Sequence, residues 1–234
     1  MSRLHKVLIP VIALAAVLAL LLPASAVPAG RITLFGARSG SHLQLRTDGA
    51  RILVQGNLGR TRQPGCHRLR RGGAVCSLAD VYGLEIATGH SGDLVQVRDP
   101  LPLPVTIYLG GGSDKFVGNA EDDYCFPQGA RRNRCIGNGG NDVCITGRHN
   151  SDCVGGPGND YCHTGAGSDG CWGGPGRDVC VMGSGEDGCH GGPGKDRLYG
   201  GRNPDQLYGM GGFDYCDGGP GRGKSHSCEA GPKH

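Results

Sequence analysis

Large side chains are too scarce in this chain to build an ordinary core. Aromatic residues make up 5% of the 234 positions, with one Trp and four Phe, and Met occurs three times. Such a composition is too lean for an average packed domain. A surplus of charge is missing too: setting aside Arg3 and Lys6 leaves 22 basic against 21 acidic residues, a formal balance of +1. Nothing in that balance points to nucleic acid or another polyanion as a partner. The chain has no H-E-x-x-H and no Gly-x-Ser-x-Gly elbow, and its Gly183-Ser-Gly-Glu-Asp string is better read as a turn. No two cysteines stand closer than nine positions, whereas zinc sites favour C-x₂₋₄-C spacing. No enzyme activity is expected.

After the opening residues there is no long apolar run. Arg3 and Lys6 precede an apolar stretch from Val7 to Leu22, followed by the small residues Ala24-Ser25-Ala26. Its 16 residues, Pro10 among them, fall short of the roughly 20 that span a bilayer. Residues 1–26 therefore read as a secretory signal peptide, the mature chain as extracellular, and no membrane contact is expected after cleavage. No cysteine follows until Cys66, which argues against a lipid anchor.

What the chain does have is periodic glycine, 46 residues of it. Val154-Gly-Gly-Pro-Gly-Asn-Asp-Tyr-Cys162, His163-Thr-Gly-Ala-Gly-Ser-Asp-Gly-Cys171, Trp172-Gly-Gly-Pro-Gly-Arg-Asp-Val-Cys180 and Val181-Met-Gly-Ser-Gly-Glu-Asp-Gly-Cys189 follow one line, x-G-G-x-G-x-D-x-C, with Thr164 and Met182 in place of its first Gly in alternate lines. A short fixed period with Gly-rich turns and one inward position marks a parallel solenoid, in which stacking supplies the core that one repeat lacks. The lines resemble the hemolysin-type calcium-binding repeat, the RTX family, with consensus G-G-x-G-x-D-x-U-x. The resemblance runs from Leu109 to about Gly221. It departs at U, apolar in the family and Cys in most lines here. The implied architecture is all-β: a parallel β-roll of 18-residue coils over 108–228, a short β region over 27–107 and a tail, 229–234. Some RTX proteins join such repeats to a protease or lipase domain, but about 80 preceding residues without a catalytic motif leave no room for one.

In a β-roll, position i faces i+9 across the core and lies above i+18 in its own sheet. One column then holds Cys125, Cys144, Cys162, Cys180 and Cys216, and the other Cys135, Cys153, Cys171, Cys189 and Cys228. Five per column is odd, so complete pairing runs across the core: 125 with 135, 144 with 153, 162 with 171, 180 with 189, 216 with 228. Leu198 and Leu207 replace one such pair together. Cys66 and Cys76 remain for each other. Twelve cysteines in an oxidising compartment thus give six expected disulfides. Each loop of roughly ten residues is worth about 2.5–3 kcal/mol in the chain-entropy model. The geometric demand is a thin roll, because a disulfide needs Cα atoms about 4.4–6.8 Å apart and packed sheets lie about 10 Å apart.

The resemblance also implies Ca²⁺ as cofactor, shared between neighbouring turns of one edge. Asp123, Asp142, Asp160, Asp178, Asp196 and Asp214 form an unbroken ladder on one edge; Asp114, Asp169, Asp187 and Asp205 form one with gaps on the other. Calcium takes six to eight oxygens, and carboxylates with Gly-turn carbonyls can supply them. The alternative role for these Asp is capping tight turns, and Arg177 and Lys195 beside two of them weigh against a cation.

Residues flanking the inward cysteines point outward. Val143, Ile145, Tyr161, His163, Val179, Val181 and Tyr199 form an apolar face suited to a protein partner or to self-association. Leu43-Gln-Leu-Arg46, Arg51-Ile-Leu-Val-Gln55, Gly83-Leu-Glu-Ile-Ala87 and Asp93-Leu-Val-Gln-Val97 read as short strands. Two further readings stand beside calcium binding: a disulfide-held adhesive or structural protein, and a redox-active thiol store, which would show free thiols.

Overall fold

A computed structural model describes residues 30–59, 65–70, 72–79, 81–98, 101–129, 131–221 and 223–231. The expected signal peptide, residues 1–26, lies outside them. The described chain is all β, with one 3-10 turn at Gly219–Gly221 and no α-helix.

Two sheets run the length of a parallel solenoid. The first stacks Arg31–Phe35, Gly83–Ala87, Val105–Leu109, Tyr124–Pro127, Val143–Ile145, Tyr161–Ala166, Val179–Ser184, Arg197–Arg202 and Tyr215–Asp217. The second stacks His42–Asp48, Leu94–Val97, Lys115–Val117, Asn133–Ile136, Ser151–Val154, Gly170–Trp172, Gly188–Gly194, Gln206–Gly212 and Lys224–His226 in parallel. At its start the second sheet extends antiparallel through Arg51–Gly56, Ala74–Ser77 and Cys66–Arg68. The register is 18 residues: Cys144 lies beside Cys162 and Cys162 beside Cys180, as Cys153 lies beside Cys171 and Cys171 beside Cys189.

Glycine is required where turns stack. Gly176 has φ of +155°, and a Cβ there would collide with the Gly158 carbonyl oxygen one coil away. Alternation along each strand does the rest: Cys162 is buried between half-buried Tyr161 and His163. The core divides in two. Its N-terminal part is built mainly of aliphatic residues, such as Leu34, Ile86, Val95 and Ile107, with Phe116 among them. Beyond Cys135 the inward positions are cysteines joined by Met182, Leu198 and Leu207. Ile107 sits in register with Cys125 and Phe116 with Cys135, so cysteine continues columns that begin as ordinary apolar ones.

The cysteine core is thin. Cα–Cα distances across it are 6.2 Å for Cys125–Cys135, 6.1 Å for Cys144–Cys153 and 6.6 Å for Cys171–Cys180. Cys66–Cys76 joins antiparallel neighbours, and Cys216–Cys228 ties down the tail. Two expected bridges, 162 with 171 and 180 with 189, are replaced by the single Cys171–Cys180 bond, and Cys162 and Cys189 are buried free thiols. The reason is symmetry: an inward residue of one sheet faces two successive lines of the other, so a nine-residue period does not choose between the partner before and the partner after. Cys228 also departs from the expected column. Leu207 is in register with Ser225, and Cys228 reaches the core only because the chain turns inward after His226 as an end cap.

Candidate metal centre

The two edges of the roll each carry a ladder of carboxylates. On the first, one oxygen of every Asp accepts from the backbone amide one coil earlier. Val105 donates to Asp123 at 2.8 Å, Asp123 to Asp142 at 2.8 Å, Asp142 to Asp160 at 2.7 Å and Asp160 to Asp178 at 2.8 Å. Asp178 then donates to Asp196 at 2.8 Å and Asp196 to Asp214 at 2.9 Å. The second edge runs from Ser41 to Asp93, Asp93 to Asp114 and Asp114 to Asn133, then restarts with Ser151 to Asp169, Asp169 to Asp187 and Asp187 to Asp205. The expected set therefore lies on two edges, not at one point.

The other carboxylate oxygen has no partner. The Oδ2 atoms of Asp93, Asp114, Asp142, Asp160, Asp169, Asp178, Asp187, Asp196, Asp205 and Asp214 are buried and accept no hydrogen bond from the described residues. Asp123 differs, its Oδ2 accepting from the Asn119 amide at 2.8 Å. The space around these oxygens is kept by glycine: a Cβ on Gly173 or Gly191 would strike Oδ2 of Asp178 or Asp196. Unpartnered buried carboxylate oxygens are costly unless a proton or a cation meets them.

Burial pushes the Asp142 carboxyl up to about 8 and that of Asp178 to about 7, partly opposed by the backbone hydrogen bond and reinforced by neighbouring Asp charges. Asp123 rises to about 7, and Asp160 and Asp196 to about 6, also through burial first. On the second edge Asp114, Asp169 and Asp205 rise to about 6, and Asp187 moves the same way. No ion pair among the described residues involves a ladder Asp. Arg177 and Lys195 are exposed, while the adjacent Asp178 and Asp196 are buried, so the basic side chains turn to solvent. The donor set, hard oxygens repeating once per coil, suits a hard divalent cation such as Ca²⁺.

Three participants escaped sequence reasoning. Asp93 joins the second ladder 21 residues before Asp114, off the 18-residue period. Asn119 holds Asp123 and also donates to the carbonyls of Leu101 and Leu103. Glu229 ends the first ladder, its carboxylate accepting from the Asp214 amide at 2.8 Å. A strand, turn, Asp, strand layout shared by Leu84–Val97 and Thr106–Val117 is the available signal for Asp93; Glu229 has none.

The outward columns run Val143, Tyr161, Val179 and Ile145, His163, Val181, Tyr199 along the first sheet, every member half-buried. On the second sheet Trp172, His190, Tyr208 and His226 stack, with ring centroids 6.1, 4.7 and 5.0 Å apart. His163 and His190 belong to different sheets.

The family model of the RTX calcium-binding nonapeptide repeat matches residues 105–126, 154–180 and 190–223, in four copies. No curated protein and no solved structure matches the chain.

Proposed function

We propose that this roll, which matches the model of the RTX calcium-binding nonapeptide repeat over residues 105–126, 154–180 and 190–223, is an exported, non-enzymatic calcium-binding protein. Ca²⁺ would be held on the first edge by Asp123, Asp142, Asp160, Asp178, Asp196 and Asp214, and on the second by Asp114, Asp169, Asp187 and Asp205. Asp93 extends the second set. The observation that carries the reading is the row of buried Oδ2 atoms without partners. A bound divalent cation supplies the counter-charge that lets neighbouring carboxylates ionise together. The chain's part is positional: each Oδ1 is tied to the coil before, the Gly turns leave room at Oδ2 of every ladder Asp but Asp123, and turn carbonyls would supply further oxygen ligands.

Export fits the disulfide-rich core, and the disulfides lock coils whose core lacks bulk. Calorimetric titration tests the reading. Several ions should bind the native chain, and fewer should bind after Asp160→Asn and Asp178→Asn together; unchanged stoichiometry would sink the assignment to this edge.

A second reading, a disulfide-held structural or adhesive scaffold, is favoured by the continuous half-buried Val/Tyr columns of the first sheet. It would keep its β signal unchanged in chelator.

A further inference from the structure

We propose that the four central cysteines share one mobile disulfide and form a two-electron redox site inside the roll. Cys162 and Cys180 belong to the first sheet, Cys171 and Cys189 to the second, and they alternate as inward residues of successive lines. The bond joins Cys171 to Cys180. A buried free thiol flanks it on each side, Cys162 and Cys189. The sulfurs of Cys162, Cys171 and Cys180 all lie within 4.8 Å of one another. One bond thus stands among three neighbouring sulfurs.

The first step needs no outside reagent. The Cys162 thiol gives up its proton and the thiolate attacks Sγ of Cys171. The 171–180 bond breaks, and Cys180 leaves as a thiolate that takes up the proton. The bridge is then 162–171, and the Cys180 thiol faces Cys189 at the nine-residue separation that joins Cys144 to Cys153. The second step takes a peroxide as oxidant, small enough for a buried site. One of the two thiols is oxidised by hydrogen peroxide to a sulfenic acid, releasing water. The other thiol attacks that sulfur, the S–S bond closes and a second water leaves. In sum, the Cys162 and Cys189 thiols lose two electrons and two protons, although Cys171 and Cys180 stand between them.

The test is disulfide mapping of the full mature chain, quenched in acid, alkylated and cut before each Asp. Asp160, Asp169, Asp178, Asp187 and Asp196 place the four cysteines on separate peptides. After hydrogen peroxide the native chain should show 162–171 and 180–189 and no alkylated thiol on these peptides. A 171–180 bridge that persists beside two thiols overturns the proposal. Cys189→Ser, a variant that keeps the three neighbouring sulfurs, decides the mobility directly. Incubated at pH 8.5, it should yield both 162–171 and 171–180, with its one thiol divided between Cys180 and Cys162, and peroxide should close no further bond. A single bridge at 171–180 with the thiol confined to Cys162 would show a fixed bond and defeat the inference.

Discussion

The backbone amide of Asp160 donates to Oδ1 of Asp178 at 2.8 Å, while Oδ2 of the same carboxyl is buried without a partner. One oxygen holds two coils in register, and in the proposed function the other would meet a cation. The same division repeats along both edges, so the fold's geometry and the proposed ion binding would depend on the same side chains.

That division sets a pH dependence. Burial raises the carboxyls of Asp142, Asp160 and Asp178 from the ordinary 3.8 to about 8, about 6 and about 7. A folded value above the unfolded one means stability that is fully present below about pH 4 and is lost as the pH rises through 6 to 8. In chelator, the melting temperature should be higher at pH 5 than at pH 8. With calcium the order should reverse, because ionised carboxylates bind the cation. Melts followed by circular dichroism check both halves.

Asp178→Asn separates the two roles of one residue. The amide oxygen can still accept from Asp160, but the charge is gone. The ion-free roll should gain about 1 kcal/mol at pH 8, where a buried unpaired charge is removed, and the calcium-loaded roll should lose stability. Denaturant titrations with and without calcium measure the pair, and a loss in both conditions would contradict the account.

Gly176→Ala should cost about 2 kcal/mol, since its Cβ meets the Gly158 carbonyl at a φ that L-residues rarely adopt. At Gly147 a Cβ meets nothing within 4 Å, so Gly147→Ala should stay within about 0.5 kcal/mol of the native chain. Urea unfolding of the two variants compares them.

The C-terminal cap rests on one disulfide and a few hydrogen bonds. The Cys216 amide donates to the Ala230 carbonyl at 2.9 Å, and the Ala230 amide to that of Asp214 at 3.0 Å. Replacing Cys216 and Cys228 together by Ser should cost about 2–3 kcal/mol. Hydrogen exchange should then quicken first at the amides of Cys216, Glu229 and Ala230, with coils before Asp196 unaffected.

Much of this was legible in the chain because period and chemistry coincide. An inward residue every nine positions and an Asp every 18 are enough to place Cys144, Cys162 and Cys180 in one column and Asp160, Asp178 and Asp196 on one edge. What period alone leaves undetermined is direction: Cys171 stands between Cys162 and Cys180, and it is bonded to the second. The ends escape for another reason. Asp93 and Glu229 occupy coils of irregular length, where hydrogen bonding to Asp114 and Asp214 replaces sequence spacing as the signal.

Calorimetric calcium titration of the oxidised mature chain, run beside circular dichroism with and without chelator, tests the central claim most directly. The account predicts uptake of several ions per chain, with proton release at pH 7 and a spectral change that chelator reverses. Absence of heat together with an unchanged β spectrum would contradict it and leave a scaffold held by disulfides alone.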